Sequence, residues 1–198
     1  MFRRMKTGLL FGTFNPVHKS HLIVAEYLAQ WQNLDEVWLV VTPHNPHKDK
    51  AGLLDDTERL HMVELATENI PHFQVSTIEF ELPQPNYTVD TLAALRAAHP
   101  DRTFFLLMGA DNFLSLPRWK DPEGLLHAAQ LLVYPRPGAE IPSDHPLLGH
   151  ARVAIADGPL MERSATAIRA KLGLKGSAND ELPRSVAAYI EARQHYRS

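Results

Sequence analysis

The chain reads KTGLLFGTFNPVHKSHLIVAEYL from Lys6 to Leu28. A short apolar run ends at a glycine, a polar turn follows, and a largely apolar segment then begins near Lys19. This order predicts a buried strand, a turn and a helix, which is the repeating unit of an α/β fold. His18 and His21 stand at the turn, and a separation of three positions places them on the same side of it.

The alternation of strands and helices continues through the chain. Apolar runs predict strands over Thr7–Phe11, Glu36–Thr42, Phe73–Glu81, Thr103–Met108, Gln130–Tyr134 and Arg152–Ala156. Helical patterns cover Lys19–Trp31, a segment from about Asp55, Thr88–His99, a segment from Ser164, and Leu182–Tyr196. The sequence therefore predicts an α/β fold with a doubly wound, mainly parallel sheet and a helical C-terminal segment, in a single domain over residues 1–198. Ligands of such sheets bind outside the carboxyl ends of the strands.

Composition limits the classes of function. The chain has 198 residues, of which 44% are hydrophobic, and a formal net charge of −3. That charge argues against a nucleic-acid partner or an anionic membrane surface, because both need a strongly basic face. The absence of cysteine excludes disulfides, thiolate zinc sites and a cysteine nucleophile, and it suits a cytoplasmic protein. No segment approaches the roughly 18 apolar residues that a membrane span requires.

The turn that carries the two histidines has three interpretations: a metal site, a phosphate site, or a pair of rings that packs. Gly12 lets the backbone approach a ligand closely, and the following helix presents free N–H groups, which favour an anion. Zinc needs three or four protein ligands, and no third histidine or cysteine stands nearby at ligand spacing. The residues alone favour phosphate binding, followed by packing, and leave a metal site as the third alternative.

The same turn resembles the Gly-x-Phe-x-Pro-x-His-x-Gly-His signature of the nucleotidyltransferase superfamily. The matching residues are Gly12, Phe14, Pro16, His18, Ser20 and His21. Ser20 stands where the signature usually has glycine, and Phe11 stands where many members have a second glycine. The stretch RSATAIRAKL is similar to the superfamily's Ile-Ser-x-Thr-x-Ile-Arg motif, although Arg163 replaces the usual isoleucine.

Three further stretches resemble nicotinate mononucleotide adenylyltransferases. They are PHNPHK (Pro43–Lys48), NYTVDTL (Asn86–Leu92) and GADN (Gly109–Asn112) followed by Trp119. The resemblance implies transfer of the adenylyl group of ATP to nicotinate mononucleotide on a Rossmann-like nucleotidyltransferase fold. It also implies Mg²⁺ held mainly by the substrate phosphates, with no protein ligand to the metal that can be identified.

The resemblance assigns the site residues by role. Catalysis falls to His18, His21 and Arg169. Binding of ATP and its phosphates falls to Gly12, Thr13, Phe14, Gly109, Asp111, Ser164 and Thr166. Binding of nicotinate mononucleotide falls to Asn15, Lys48, Thr88 and Trp119.

Two alternatives stay open on the sequence. A sibling transferase would act on nicotinamide mononucleotide or phosphopantetheine instead, and a single loop separates recognition of a carboxylate from recognition of an amide. A non-catalytic nucleotide-binding module is the alternative from a different class of function, although retention of both histidines and Arg169 disfavours it. The oligomeric state is not determined, and a homo-oligomer is compatible with the sequence.

Overall fold

A computed structural model describes residues 3–46, 51–161 and 164–197. The strands are β1 (Met5–Gly12), β2 (Glu36–Val41), β3 (Phe73–Ser76), β4 (Arg102–Gly109), β5 (Gln130–Tyr134) and β6 (Val153–Ile155). The helices are α1 (Lys19–Gln32), α2 (Asp56–Thr67), α3 (Thr88–Ala98), α4 (Ala110–Ser115), α5 (Pro122–Ala128), α6 (Ala165–Gly173) and α7 (Arg184–Arg193). Short 3₁₀ turns cover Ile78–Phe80 and Leu116–Arg118.

The strands form one six-stranded sheet in the order β3-β2-β1-β4-β5-β6, and every neighbouring pair is parallel. The predicted doubly wound α/β fold is therefore confirmed. The chain builds outward from β1 to β3, then returns to add β4 on the other side of β1. This reversal creates a crevice between the carboxyl ends of β1 and β4, where ligands bind in open sheets of this kind.

Apolar side chains cover both faces of the sheet, because successive residues of a strand point to opposite sides. In β1, Leu10 packs into a cluster with residues of α1, α2, α6 and α7. Its neighbour Leu9 packs into a second cluster, which contains residues of α3, α4 and α5. The strand β2 is buried along its whole length, which explains why its sequence EVWLVV is almost continuously apolar.

The predicted strand Phe73–Glu81 is shorter than expected. Strand β3 ends at Ser76, and the chain then enters the 3₁₀ turn at Ile78–Phe80. Within this turn Glu79 is only 1% exposed, and its Oε1 accepts a hydrogen bond of 2.6 Å from the Thr91 hydroxyl. The contact between Glu79 and α3 replaces the expected continuation of the strand. Helices α4 and α5 are additions that the apolar pattern did not predict.

Across the described ranges, no helix combines the length and the apolar character that crossing a bilayer would require.

Candidate active site

A pocket opens at the crevice between β1 and β4. Its walls come from the ends of β1, β2 and β4, from the start of α3, and from the segment around Trp119. Gly12, at the end of β1, lines the pocket and also begins the signature loop Gly12–His21. The pocket and the loop with the two histidines therefore share one strand end.

The backbone at the start of the signature loop is closely covered by a side chain. A Cβ at Gly12 would lie 2.9 Å from Cε1 of Phe14, so only glycine fits beneath this ring. Phe14 has a left-handed backbone with φ of 44°, and its side chain is 2% exposed. The ring packs edge-on against His21, with 5.2 Å between centroids. The Phe14 side chain therefore shapes the loop, and contact of this residue with ATP remains a prediction.

The two histidines lie against each other at the start of α1. Their rings are stacked, with centroids 3.6 Å apart and planes inclined by 24°. The backbone N–H of His18 donates to Nδ1 of His21 at 3.2 Å. Because Nδ1 of His21 is the acceptor, a neutral His21 ring carries its proton on Nε2. The stacking fixes both rings relative to the helix start, so the pair is positioned by its own contacts.

Asn15 is the centre of a hydrogen-bond network in the loop. Its Oδ1 accepts from the hydroxyl of Tyr196 at 2.7 Å and from the backbone N–H of Leu54 at 3.3 Å. Its Nδ2 donates to the carbonyl oxygen of Gly52 at 2.9 Å, and the residue is 3% exposed. The side-chain amide thus organises the loop, and the predicted contact of Asn15 with nicotinate mononucleotide stays a prediction.

Arg169 joins the two sequence motifs. Its Nη1 donates to the backbone carbonyl of Asn15 at 2.8 Å, across 154 positions of sequence. Its Nη2 lies 3.4 Å from the hydroxyl oxygen of Thr166, which accepts the bond. Ser164 caps α6, because its Oγ accepts from the backbone N–H of Ala167 at 3.2 Å. The structure therefore brings Ser164, Thr166 and Arg169 to the loop that carries the histidines.

The pocket wall opposite the signature loop carries Thr88 and Trp119. Thr88 is the first residue of α3, where backbone N–H groups lack partners within the helix. Trp119 is held by a 3.0 Å hydrogen bond from its Nε1 to the hydroxyl of Ser115. Lys120 also lines the pocket, and its Nζ lies 2.7 Å from Oδ2 of Asp90. A hydroxyl, an indole ring and a cation thus face one cavity.

Asn86 connects two loops of the pocket wall. Its backbone N–H donates to the His44 carbonyl at 2.9 Å, and its Oδ1 accepts from the His44 N–H at 3.2 Å. Its Nδ2 donates to the Glu79 carbonyl at 2.9 Å. Asn86 is buried, so these bonds hold the segment after β2 against the segment before α3. The wall that carries Thr88 is therefore fixed to the end of β2.

Glu79 is an acid inside the same wall. Burial raises the pKa of the Glu79 carboxyl above its ordinary value, and hydrogen bonds from Thr91 and Thr42 lower it in part. Desolvation penalises the charged form of a carboxylate, so the folded protein favours the neutral acid here.

Gly109 and Asp111 lie at the end of β4. Nη1 of Arg136 donates to Oδ2 of Asp111 at 2.8 Å. A Cβ at Gly109 would lie 2.5 Å from Oδ1 of Asp111 and 2.7 Å from Cδ of Arg136, so a larger residue here would displace this exposed ion pair. Asp111 is exposed and is not among the residues that line the pocket with Thr88. The structure places it beside the pocket, on the β5 side.

Arg59 supports the site from beneath, and sequence reasoning missed it. The side chain is fully buried on α2, and its five N–H groups all find acceptors. The acceptors are the backbone carbonyls of Thr13, Thr42, Pro43 and Leu54, and the carboxylate of Asp56. Arg59 therefore binds the ends of β1 and β2 to each other.

Other residues that line the pocket were not predicted individually, although they belong to the stretches that resemble nicotinate mononucleotide adenylyltransferases. Asn45 belongs to PHNPHK, Asn86 and Tyr87 belong to NYTVDTL, and Asn112 belongs to GADN. Lys48, predicted to bind nicotinate mononucleotide, lies outside the described residues. Within residues 3–46, 51–161 and 164–197, no group of three or more His, Asp or Glu side chains forms a metal-binding cluster.

Comparison with known proteins decides the family. The cytidylyltransferase-like family profile matches residues 9–171. A Flavobacterium psychrophilum protein named "Probable nicotinate-nucleotide adenylyltransferase" is 48% identical over 193 residues, which cover 98% of this chain and 100% of the relative. The chain belongs to the nicotinate-nucleotide adenylyltransferase family. A Bacteroides fragilis member of this family is 46% identical over 169 residues, covering 85% of this chain and 83% of its own.

Solved structures support the fold of this adenylyltransferase family member. Plasmodium falciparum nicotinic acid mononucleotide adenylyltransferase, complexed with NaAD, superimposes with a TM-score of 0.81. The alignment covers 97% of both chains at 18% sequence identity. The same Plasmodium enzyme complexed with APC gives a TM-score of 0.79. At this level of identity the likeness concerns the fold alone.

Proposed function

We propose that this chain transfers the adenylyl group of ATP to nicotinate mononucleotide, giving nicotinic acid adenine dinucleotide and pyrophosphate. The observation that carries the proposal is the shared end of β1. Gly12 lines the pocket with Thr88 and Trp119, and it begins the loop that holds the paired histidines. One site thus offers a pocket for a flat ring beside groups suited to phosphates.

The reaction needs no protein nucleophile. A phosphate oxygen of nicotinate mononucleotide attacks the α-phosphorus of ATP, and a new P–O bond forms. The bond from the α-phosphorus to the bridging oxygen breaks on the opposite side, and pyrophosphate leaves with that oxygen. Catalysis of this kind relies on placing the two phosphates in line and on stabilising the charge that develops between them.

The phosphate end of the site is built around Asn15 and α6. Arg169 presents a fork of donors to the β- and γ-phosphates, which become the leaving pyrophosphate. Ser164 and Thr166 begin the same helix and supply hydroxyls near its N-terminus, where anions are favoured. His18 and His21 stabilise charge on the α-phosphate oxygens, and the tautomer of His21 fixed by the His18 N–H carries its proton on Nε2.

The pyridine end is formed by Thr88 and Trp119. Trp119 provides an aromatic face for the nicotinate ring, and Thr88 provides a hydroxyl and a backbone N–H for its carboxylate. Lys120 in the same wall is already paired with the Asp90 carboxylate at 2.7 Å, so recognition of the nicotinate carboxylate is assigned to Thr88. Asn15 and Lys48 complete the assignment on the mononucleotide side. Asp111 and Gly109 are assigned to the adenosine side of ATP.

Mg²⁺ belongs to the proposal as a companion of the triphosphate. The cation is assigned to the phosphate oxygens and to water, which Mg²⁺ usually retains as ligands when it accompanies a nucleotide. When bound, it neutralises charge on the triphosphate. We place the reaction in the cytoplasm, in keeping with a cysteine-free chain, with ATP and nicotinate mononucleotide as partners and no role for nucleic acid or membranes.

The proposal is tested by following the phosphorus atoms of ATP. The protein is incubated with nicotinate mononucleotide, Mg²⁺ and ATP labelled either at the α- or at the γ-phosphate. We expect the α-label in the dinucleotide and the γ-label in pyrophosphate, with neither product when the mononucleotide is omitted. Label from the γ-position in the nucleotide product, or release of inorganic phosphate alone, contradicts adenylyl transfer.

A further inference from the structure

The last described residues turn back from α7 towards the signature loop. Gln194 and Tyr196 have left-handed backbones, with φ of 57° and 62°. This conformation is rare for a bulky aromatic residue and persists only where surrounding contacts hold it. The turn carries the Tyr196 side chain to Asn15, 181 positions earlier in the sequence.

Specific contacts fix this C-terminal turn, residues 194–197. Nε2 of His195 lies 2.7 Å from Oε2 of Glu58 on α2. The hydroxyl of Tyr196 lies 2.7 Å from Oδ1 of Asn15. Both contacts join the C-terminal turn to distant parts of the chain, so tertiary structure rather than helix propensity determines where Tyr196 lies.

The phenol of Tyr196 lies among the charged groups of the site. Burial raises its pKa well above the ordinary value, while the charges of Arg169 and Arg59 act in the opposite direction. The phenol therefore keeps its proton near neutral pH and remains a hydrogen-bond donor to Asn15.

Asn15 accepts hydrogen bonds from both Tyr196 and Arg169. Its side-chain oxygen accepts from Tyr196, while its backbone carbonyl accepts from Nη1 of Arg169 at 2.8 Å. The planar amide and the carbonyl belong to the same short loop, so a shift of one displaces the other. Without the Tyr196 hydroxyl, Oδ1 of Asn15 keeps the longer bond of 3.3 Å from the Leu54 N–H.

We propose that Tyr196 is a positioning residue for the phosphate end of the site: its hydroxyl fixes Asn15, and the carbonyl of Asn15 fixes the guanidinium of Arg169. This inference rests on the proposed function, which assigns Arg169 to the leaving pyrophosphate. The C-terminal turn is then part of the active site, although it lies beyond the motifs that resemble the superfamily.

The test is Tyr196→Phe, which removes the hydroxyl and keeps the ring that packs against the core. We expect kcat to fall roughly tenfold, since small misplacements of binding groups have effects of that size or larger, while KM for nicotinate mononucleotide changes little. The matched control is Tyr27→Phe on α1. Its hydroxyl donates to the backbone carbonyl of Asp157 at 2.7 Å, a contact that involves neither the C-terminal turn nor the signature loop, and we expect its kcat to stay within about twofold of the wild type.

Two further measurements separate positioning from simple stabilisation. In an Arg169→Ala background, Tyr196→Phe should lower kcat by less than about twofold, because the group that it positions is gone. Direct titration with pyrophosphate needs no turnover, and Kd should rise roughly threefold to tenfold in Tyr196→Phe but not in Tyr27→Phe.

Several results would overturn the inference. An unchanged Kd for pyrophosphate in Tyr196→Phe, with a lower melting temperature alone, would leave the residue a purely structural role. An equal loss of kcat in the Arg169→Ala background would show that the effect does not pass through Arg169. Failure of the wild-type protein to use nicotinate mononucleotide would contradict the proposed function, and the pyrophosphate titration would still decide the role of Tyr196.

Discussion

Replacing Arg59 by methionine tests how the floor of the site is held together. The side chain is fully buried, and its hydrogen bonds reach the backbone carbonyls of Thr13 and Thr42, at the ends of neighbouring strands. Methionine fills much of the same volume and has no N–H groups, so these carbonyls lose their partners. The substitution therefore removes the side-chain link between Thr13 and Thr42 and leaves the pairing of β1 with β2 and the apolar packing largely intact.

The expected loss of stability can be estimated from the backbone carbonyls that lose their hydrogen bonds from Arg59. Each buried carbonyl that loses its partner destabilises the fold by about 1–3 kcal/mol, and at least two are lost, giving about 3 kcal/mol in total after partial rescue by water. In a chain of this size about 1 kcal/mol shifts Tm by roughly 2–4 °C, so Tm should fall by roughly 6–12 °C. Asp56 adds little, because it is 40% exposed and regains water.

The assay is thermal and urea unfolding of Arg59→Met beside Arg96→Met. Arg96 lies on the exposed side of α3 and makes a single 3.2 Å hydrogen bond to the His127 carbonyl, so its replacement should change stability by less than about 1 kcal/mol. Arg59→Lys should be intermediate, since an ammonium has three donors and no planar fork. A Tm of Arg59→Met within about 2 °C of the wild type would refute the argument.

Three further predictions concern the chemistry and its pH dependence. His18→Ala should lower turnover on the order of 10²- to 10³-fold, measured as dinucleotide formed, because it removes one charge-stabilising donor; near-normal turnover would exclude His18 from the mechanism. Trp119→Ala should raise KM for nicotinate mononucleotide about tenfold and leave KM for ATP unchanged, whereas Trp31→Ala, on the exposed side of α1, should change neither. The pKa of Glu79 is higher in the folded protein than in the unfolded chain. Protonation of Glu79 therefore stabilises the folded state fully at low pH, and this contribution is lost as pH rises through the folded pKa. Melting curves should therefore show Glu79→Gln gaining stability relative to the wild type as pH rises from the ordinary carboxyl range to the raised pKa of folded Glu79, and an unchanged difference would contradict a raised pKa.

Much of the fold could be predicted because each strand of the sheet is covered on both faces. The almost continuous apolar run of β2 follows from that burial. The helices between the strands can be predicted because their apolar residues recur every three or four positions. The limit of β3 could not be predicted, because the side chain of Glu79 turns inward to meet Thr91, a contact between segments 12 positions apart. The pattern of apolar residues in a sequence cannot predict such a contact between two polar side chains.

The resemblance directs attention to some residues of the candidate site, whereas contacts that arise only from tertiary structure give no signal in the sequence. Thr88 and Trp119 were expected at one end of the substrate, and the structure places them in one pocket. Arg59 gave no signal, since an arginine in the helical segment DTERLHMVELAT usually faces solvent. Its role depends on two strand ends that meet only in the folded chain, as does that of Tyr196.

The acceptor that the protein uses can be identified by offering it three candidate acceptors. Pyrophosphate release from ATP in the presence of Mg²⁺ is measured with nicotinate mononucleotide, nicotinamide mononucleotide and phosphopantetheine in parallel, and kcat/KM is determined for each. We expect a clear preference for nicotinate mononucleotide, because Trp119 offers an aromatic face to the ring and Thr88 offers donors to its carboxylate in the same pocket. Equal use of both pyridine nucleotides would contradict the assigned specificity, and turnover of none of the three would contradict the enzymatic function itself.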